Sequence, residues 1–302
     1  MSEGFSSPNF EAFSNDWLAD RYLKFGSVEE AINSYQGHFP VSVADYHRKI
    51  KQFGIIKKVG RRKVSLAKTL YFFTQKALEP AIPIEKLYKS MPLTFQESAS
   101  IATIHRIYNN LMEKVVRLEA AGVIITKSGQ PERVLIVDEL ESRAGTGKVS
   151  GSSTIPFSFA NRKEDMRTKA LRVLQQEFST HLTLGKKLTT KGSLAKKLVP
   201  KSISPILHFH LLDVEINIFH IELPGDFDMS TLSSYNVKNH RFVHVDDIVR
   251  QSPINFRVSV PEIVAAYCKQ MFGQTAEDPQ IITSSLNHAL LAVATEAVPS
   301  QK

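Results

Sequence analysis

Helical spacing of apolar residues dominates the first 120 positions, and strand patterns enter after Gly122. Residues 1 to 10 are polar and Ser-rich, without a period. Asn15 to Phe25, with Trp17, Leu18, Tyr22 and Phe25, predicts a first helix. Ser27, followed by Glu30, caps a second that stops at Gly37-His38-Phe39-Pro40. Ser42, followed by Asp45, starts a third, ending near Phe53-Gly54. Ile55 to Val64 reads as two short strands turning at Gly60. Helices follow over Leu66 to Leu78 and Pro83 to Ser90; after a Pro92 to Ser98 connection comes a long one, Ser100 to Ala120. Gly122 to Thr126 and Arg133 to Val137 form a hairpin-like pair about Gly129-Gln130-Pro131. Strands are predicted over Ile206 to Leu212, Glu215 to Glu222 and Arg241 to Val245. Helices are predicted over Pro261 to Phe272 and the Ala-rich Ile281 to Ala297.

Composition narrows the class. A chain of 302 residues accommodates two or three small domains, and its apolar content and charge density fit a soluble globular protein. A single cysteine, Cys268, excludes an internal disulfide, suits a reducing cytoplasm and reads as a buried apolar residue. No signal-like start and no long apolar stretch appears, so a cytoplasmic protein without a membrane partner is expected. The formal charge of +8 favours a polyanionic partner. It is unevenly spread: Arg48 to Lys63 holds eight Lys or Arg and no acid, while the first fifty residues are slightly acidic.

Helix, short turn, second helix and basic hairpin resemble a winged helix-turn-helix. That resemblance implies double-stranded DNA as partner, with the second helix in the major groove and the wing over phosphates. With Val43, Ile50 and Phe53 packed inward, Tyr46, His47, Lys49 and Gln52 would face outward. Lys57, Lys58, Arg61, Arg62 and Lys63 would lie on the wing. A protein-binding helical domain with a merely soluble basic loop is the alternative. In the next unit, Thr103 to Leu111 resembles the recognition helix of winged-helix repressors, which places His105, Arg106 and Asn109 at DNA. There Gly122 suits a left-handed cap between helix and wing. The hairpin Val123 to Val137 is therefore claimed twice, as that wing or as the first strands of the domain that follows. In the second case the long helix is a linker or a dimerisation helix, through Leu111, Val115 and Leu118.

Between Ser158 and Thr180 lies the segment with the most chemistry. Ser158, five residues, Glu164, seven residues, then Arg172-Val173-Leu174-Gln175-Gln176-Glu177-Phe178-Ser179-Thr180 resembles the Nudix box, Gly-x5-Glu-x7-Arg-Glu-U-x-Glu-Glu-x-Gly-U with U aliphatic. Glu164, Arg172, Leu174 and Glu177 match; Ser158, Val173, Gln176, Ser179 and Thr180 depart. The resemblance implies that carboxylates at 173, 176 and 177 would share one helical face and hold hydrated Mg²⁺ against a diphosphate. Only Glu177 remains. Glu164 and Arg172, which in that family mainly brace the loop-helix-loop, are kept. A further acid that often precedes the Phe242-like position is absent from Tyr235 to His240. An ordinary amphipathic helix is the bland alternative.

His208 and His210 alternate along one strand and share a face; packing is a better account of them than metal binding. Gly145 to Lys148 lacks the full phosphate-loop pattern and reads as a flexible loop. Lys186, Lys187, Lys191, Lys196, Lys197 and Lys201 form a second acid-free basic run, a solvated loop that could alternatively hold a diphosphate or touch DNA.

The expected class is thus α+β multidomain: mostly helical winged-helix modules, then a Nudix-like α/β/α sandwich with a mixed sheet. The divisions are a disordered 1–12, a winged helix at 13–66 and a helical 67–120 that is a second winged helix on one reading. A sandwich at 121–275 and a terminal helix or tail at 276–302 complete it. The expected function is a DNA-binding transcriptional regulator whose degenerate sandwich senses a nucleotide-derived ligand or serves as an assembly platform, with a homodimer as one form. It would have no catalytic residues and no cofactor, Mg²⁺ entering only if the box is active. The alternatives are an active nucleoside-diphosphate-type hydrolase and a non-catalytic interaction scaffold.

Overall fold

Ala120-Ala121-Gly122-Val123-Ile124-Ile125 is apolar toward both sides, and a strand of that kind needs cover on both faces. In the computed structural model, which describes residues 14–57, 59, 66–97, 99–140, 152–178, 197–250, 256–273 and 279–296, it obtains that cover. Strand β1 (Leu118–Lys127) lies inside a five-stranded mixed sheet. Numbered along the chain, the other members are β4 (Phe157–Ala160), β5 (Leu207–Leu211), β6 (Val214–Leu223) and β8 (Gln280–Thr283). The order is β4-β1-β6-β5-β8, with β1 antiparallel to β4 and parallel to β6, and β5 antiparallel to β6 and parallel to β8. A second, antiparallel sheet has β2 (Arg133–Glu139) between β3 (Ser153–Thr154) and β7 (Val237–His244).

The predicted hairpin is corrected here. The turn at Gly129 forms, with φ of 76°, but the two strands separate into different sheets and share no ladder beyond the bridge Lys127–Gln130. Residues 123–137 are therefore not a wing. Pairing with β2 alone would leave the apolar β1 as an edge, whereas insertion between β4 and β6 satisfies both of its sides. Gly122 is likewise no helix cap. It sits within β1, where a Cβ would come within 2.8 Å of Ile218 Cδ1, so close strand packing requires its lack of a side chain.

Side chains alternate between two cores. On one face Ala120, Ile124, Ile216 and Ile218 share a cluster with Phe72, Ile104 and Val264. These come from α4 (Leu66–Leu78), α7 (Ile101–Met112) and α10 (Val260–Phe272), in a set that includes α5 (Ile84–Ser90) and α6 (Leu93–Gln96). On the opposite face Ala121, Val123, Ile125 and Phe219 meet α8 (Met166–Val173). With helices on both faces, the arrangement is mixed α/β. A third cluster joins α1 (Asn15–Phe25), α2 (Val28–Asn33) and α3 (Val43–Gln52).

The predicted long helix ends early. Ser100 Oγ caps α7, accepting from Thr103 N at 3.3 Å, but the helix stops at Met112 and Lys114 turns left-handed at φ 54°. Asp213 stops it from outside: its carboxylate accepts from Asn110 Nδ2 (3.1 Å) and Arg117 Nε (2.8 Å), and its carbonyl from Arg117 N and Leu118 N. The proposed pairing stripe is thereby split, with Leu111 buried, Val115 exposed and Leu118 on β1. At the far end Ile281 belongs to β8, so the sheet runs past the boundary expected at 275. The terminal helix α11 (Ser285–Glu296) packs on α4 and α7. Between β7 and α10 the short helix α9 (Val245–Arg250) completes the described elements. No helix among the described residues is long and apolar enough to cross a membrane.

Candidate functional site

The box segment forms strand, loop and helix between the two sheets' connections. β4 delivers Ser158, Asn161 to Glu164 turn, and Asp165 caps α8 by accepting from Thr168 N at 2.9 Å. Those hydrogen bonds hold the Asp165 carboxyl below its usual range. Glu164 reaches back to accept from Asn161 N at 3.2 Å, and its other oxygen accepts from the Arg172 guanidinium. Glu164 and Arg172 are thus paired across the loop. The second arm of Arg172 donates to the main-chain oxygen of Lys57, and the side chain is only 1% exposed.

After Val173 the helix widens. Leu174–Phe178 is a π turn with all five residues buried. A one-turn π segment leaves carbonyls out of the regular ladder, and side chains from afar receive them. Ser234 Oγ (2.6 Å) and Asn236 Nδ2 (2.8 Å) donate to Gln176 O, and His240 Nε2 donates to Glu177 O at 3.3 Å. Burial lowers the His240 pKa, which favours the neutral ring.

These positions do not fit a hydrated Mg²⁺. Val173 is buried and apolar, and Gln176 Oε1 accepts from Ser158 Oγ at 3.1 Å inside the protein. Glu177 is the single carboxylate of the three and is buried as well. Mg²⁺ needs several oxygen ligands together with space for its retained water. Among the described residues no group of three or more His, Cys, Asp or Glu is placed to share an ion. His208 and His210 do share a face, and both approach Glu215, at 3.6 and 3.4 Å.

The expected DNA contacts divide into two sets, carried by helices that pack into different cores. On α3, Tyr46 is corrected: it is fully buried, stacks on Phe39 and donates its hydroxyl to Leu18 O at 2.7 Å. Val43, expected inside, is 51% exposed. The inward face of α3 is thus Tyr46, Ile50 and Phe53, rotated from the expected one. His47 and Lys49 remain at the surface. Lys57, itself exposed, donates to His47 Nδ1 at 3.2 Å, and Lys49 donates to Asn15 Oδ1 at 3.1 Å. The pattern had passed over Arg48 and Lys51, which are exposed on the same helix. On α7, Arg106 and Asn109 are exposed, while His105 pairs with Glu85 at 2.9 Å. Lys58, Arg61, Arg62 and Lys63 lie outside the described residues, as do 1–12, Gly145 to Lys148, Ser179, Thr180 and Lys186 to Lys196.

Sequence reasoning missed the contact that joins the two halves. Gln175 Oε1 accepts from Ile56 N at 3.1 Å and Gln175 Nε2 donates to Ile56 O at 3.0 Å. Tyr235, packed against the α1–α3 cluster, donates its hydroxyl to Asp20. Gln175 occupies a position that the box pattern leaves unspecified, and 119 residues separate it from Ile56. No local signal marks such a pair.

No family model matches the chain, and no curated protein matches it. Solved structures show a distant likeness. The MutT protein from Methanosarcina mazei Go1 aligns at 12% identity over 51% of this chain and 94% of its own, with a TM-score of 0.35. A NUDIX hydrolase from Nitrosomonas europaea aligns at 15% identity over 55% of this chain and 79% of its own, TM-score 0.35. NrtR from Shewanella oneidensis, solved with a 27mer DNA, aligns at 12% identity over 51% of this chain and 62% of its own, TM-score 0.35. Likenesses at this level carry no argument about activity.

Proposed function

We propose that the chain is a DNA-binding transcriptional regulator whose Nudix-like sandwich has lost hydrolysis and acts as a ligand sensor or assembly platform. The observation that carries this reading is the state of the box. Its bracing pair, Glu164 and Arg172, is intact, while the metal-holding positions are Val173, Gln176 and a buried Glu177. The box helix is bonded instead to Ile56 and Lys57, the residues that follow α3. A domain that keeps its shape, lacks the ligands for a metal and grips the other half of the chain is suited to recognition rather than turnover.

DNA is the favoured partner because α2 and α3 present a helix-turn-helix order with Arg48, Lys51 and Lys57 exposed at the start of an acid-free basic run. The sandwich contributes the sensor, for which a nucleotide-derived ligand is the proposed class. The basic run that holds Lys57, Lys58, Arg61, Arg62 and Lys63 is the segment proposed to meet phosphates, as the wing of a winged helix would.

Two measurements test this. Duplex binding titrated against salt should give a steep slope, and replacing Arg61, Arg62 and Lys63 together with Ala should make it shallower by about 0.9 for each phosphate no longer neutralised. An unchanged affinity and slope would remove the wing and favour a scaffold without DNA affinity. Separately, nucleoside diphosphates with Mg²⁺ should show no turnover above background. Turnover that disappears in Glu177→Gln would instead establish the hydrolase.

A further inference from the structure

The link between Gln175 and Ile56 has the form of a strand pairing carried by a side chain. One amide group satisfies both the N–H and the C=O of a single residue, at 3.1 and 3.0 Å. Beside it Arg172 donates to the carbonyl of Lys57. Ile56 packs its side chain against the box-side core. From the other direction Lys57 Nζ donates to His47 Nδ1 on α3. Residues 56 and 57 are therefore a strut, held at one end by the box helix and at the other by the outward face of α3.

We infer that Gln175 is a positioning residue for DNA recognition: through Ile56 it holds Lys57 at the outward face of α3, beside His47, so that the sandwich sets DNA affinity without touching DNA. This rests on the DNA-binding reading above. A cation that is already held in place, as Lys57 is, loses less conformational freedom when it meets a phosphate. Because Gln175 stands within the π turn, a shift of that turn would carry the strut with it. The same two hydrogen bonds thus give the sandwich a route to the reading surface.

The test uses the full chain with Gln175→Met, which keeps length and apolar volume but offers neither amide group, and Gln175→Ala as a second variant. In the free protein the Ile56 amide should exchange with deuterium roughly tenfold faster in Gln175→Met, the scale expected for losing about one net hydrogen bond. On a duplex the variant should bind more weakly, with a log–log salt slope shallower by about 0.9, equivalent to the one phosphate met by Lys57. A purely structural role would lower the melting temperature and leave that slope alone. Unchanged exchange at Ile56 in both variants overturns the anchor itself, whether or not the protein binds DNA. Faster exchange with an unchanged slope, or a wild type that binds no duplex, overturns the positioning role and leaves the anchor standing.

Discussion

Replacing Arg172 with Ala should destabilise the protein by about 3 kcal/mol, the lower end of the cost of breaking one partner out of a buried ion pair. The guanidinium is 1% exposed and has two acceptors, the Glu164 carboxylate and the Lys57 carbonyl. Its removal leaves the Lys57 carbonyl without its donor and takes the charge partner from Glu164. Glu164 is partly exposed, so water recovers some of its solvation and holds the loss to the lower end. Arg172→Lys should recover little, because an ammonium cannot serve two acceptors in the planar fork arrangement. Urea unfolding of the three proteins measures this. A loss below about 1 kcal/mol, the range of exposed pairs, would mean that the bridge between box and strut contributes little.

The second large effect is expected at Tyr46. Tyr46→Ala should cost about 3–5 kcal/mol, the usual loss on truncating a buried aromatic to Ala. That compares with the whole stability of a unit as small as α1–α3, at roughly 0.1 kcal/mol per residue. The ring stacks on Phe39 at 5.3 Å between centroids, within an aromatic group that includes Trp17 and Tyr35. Arg21 lies over Trp17, Phe25 and Tyr35 and closes that group. Burial also pushes the Tyr46 hydroxyl pKa upward, so the donor to Leu18 O keeps its proton. Tyr46→Phe should therefore fold normally and lose only about 1 kcal/mol, one net hydrogen bond. Amide exchange across α1–α3 separates the outcomes. Wild-type protection in Tyr46→Ala alongside weakened DNA binding would restore Tyr46 as a surface contact.

The box shows how far a local pattern reaches. Glu164 and Arg172 stand eight residues apart, and their spacing brings them together across one loop and one helix, so their pairing was legible in the chain. The same holds for the caps: Ser27 and Ser42 accept from Glu30 N and Asp45 N as the three-residue spacing implied. The burial of Gln176 was not legible. Its carbonyl accepts from Ser234 and Asn236, 58 and 60 residues on. The phase of α3 was misread for a related reason. Val43 and Tyr46 are both apolar enough to be core residues, and only the neighbours Leu18 and Phe39 decide that Tyr46 goes in.

Strand identity and strand partnership part in the same way. Local patterns located β2, β5 and β6 closely and parts of β1 and β7, because apolar runs between turn residues are properties of short segments. They could not choose partners. Adjacent β1 and β2 looked like a hairpin, yet β1 pairs with β6, whose register sets Leu118 against Val214 nearly a hundred residues away. The sequence by itself determined the helical first half, the mixed second half and the pairing of Glu164 with Arg172. These follow from residue type and from spacings within a turn or two of chain. Tertiary structure alone decided that β1 and β2 separate, that α7 ends at Met112 under Asp213, and that Gln175 holds Ile56. Each depends on groups distant in sequence competing for the same buried hydrogen bonds and apolar surface.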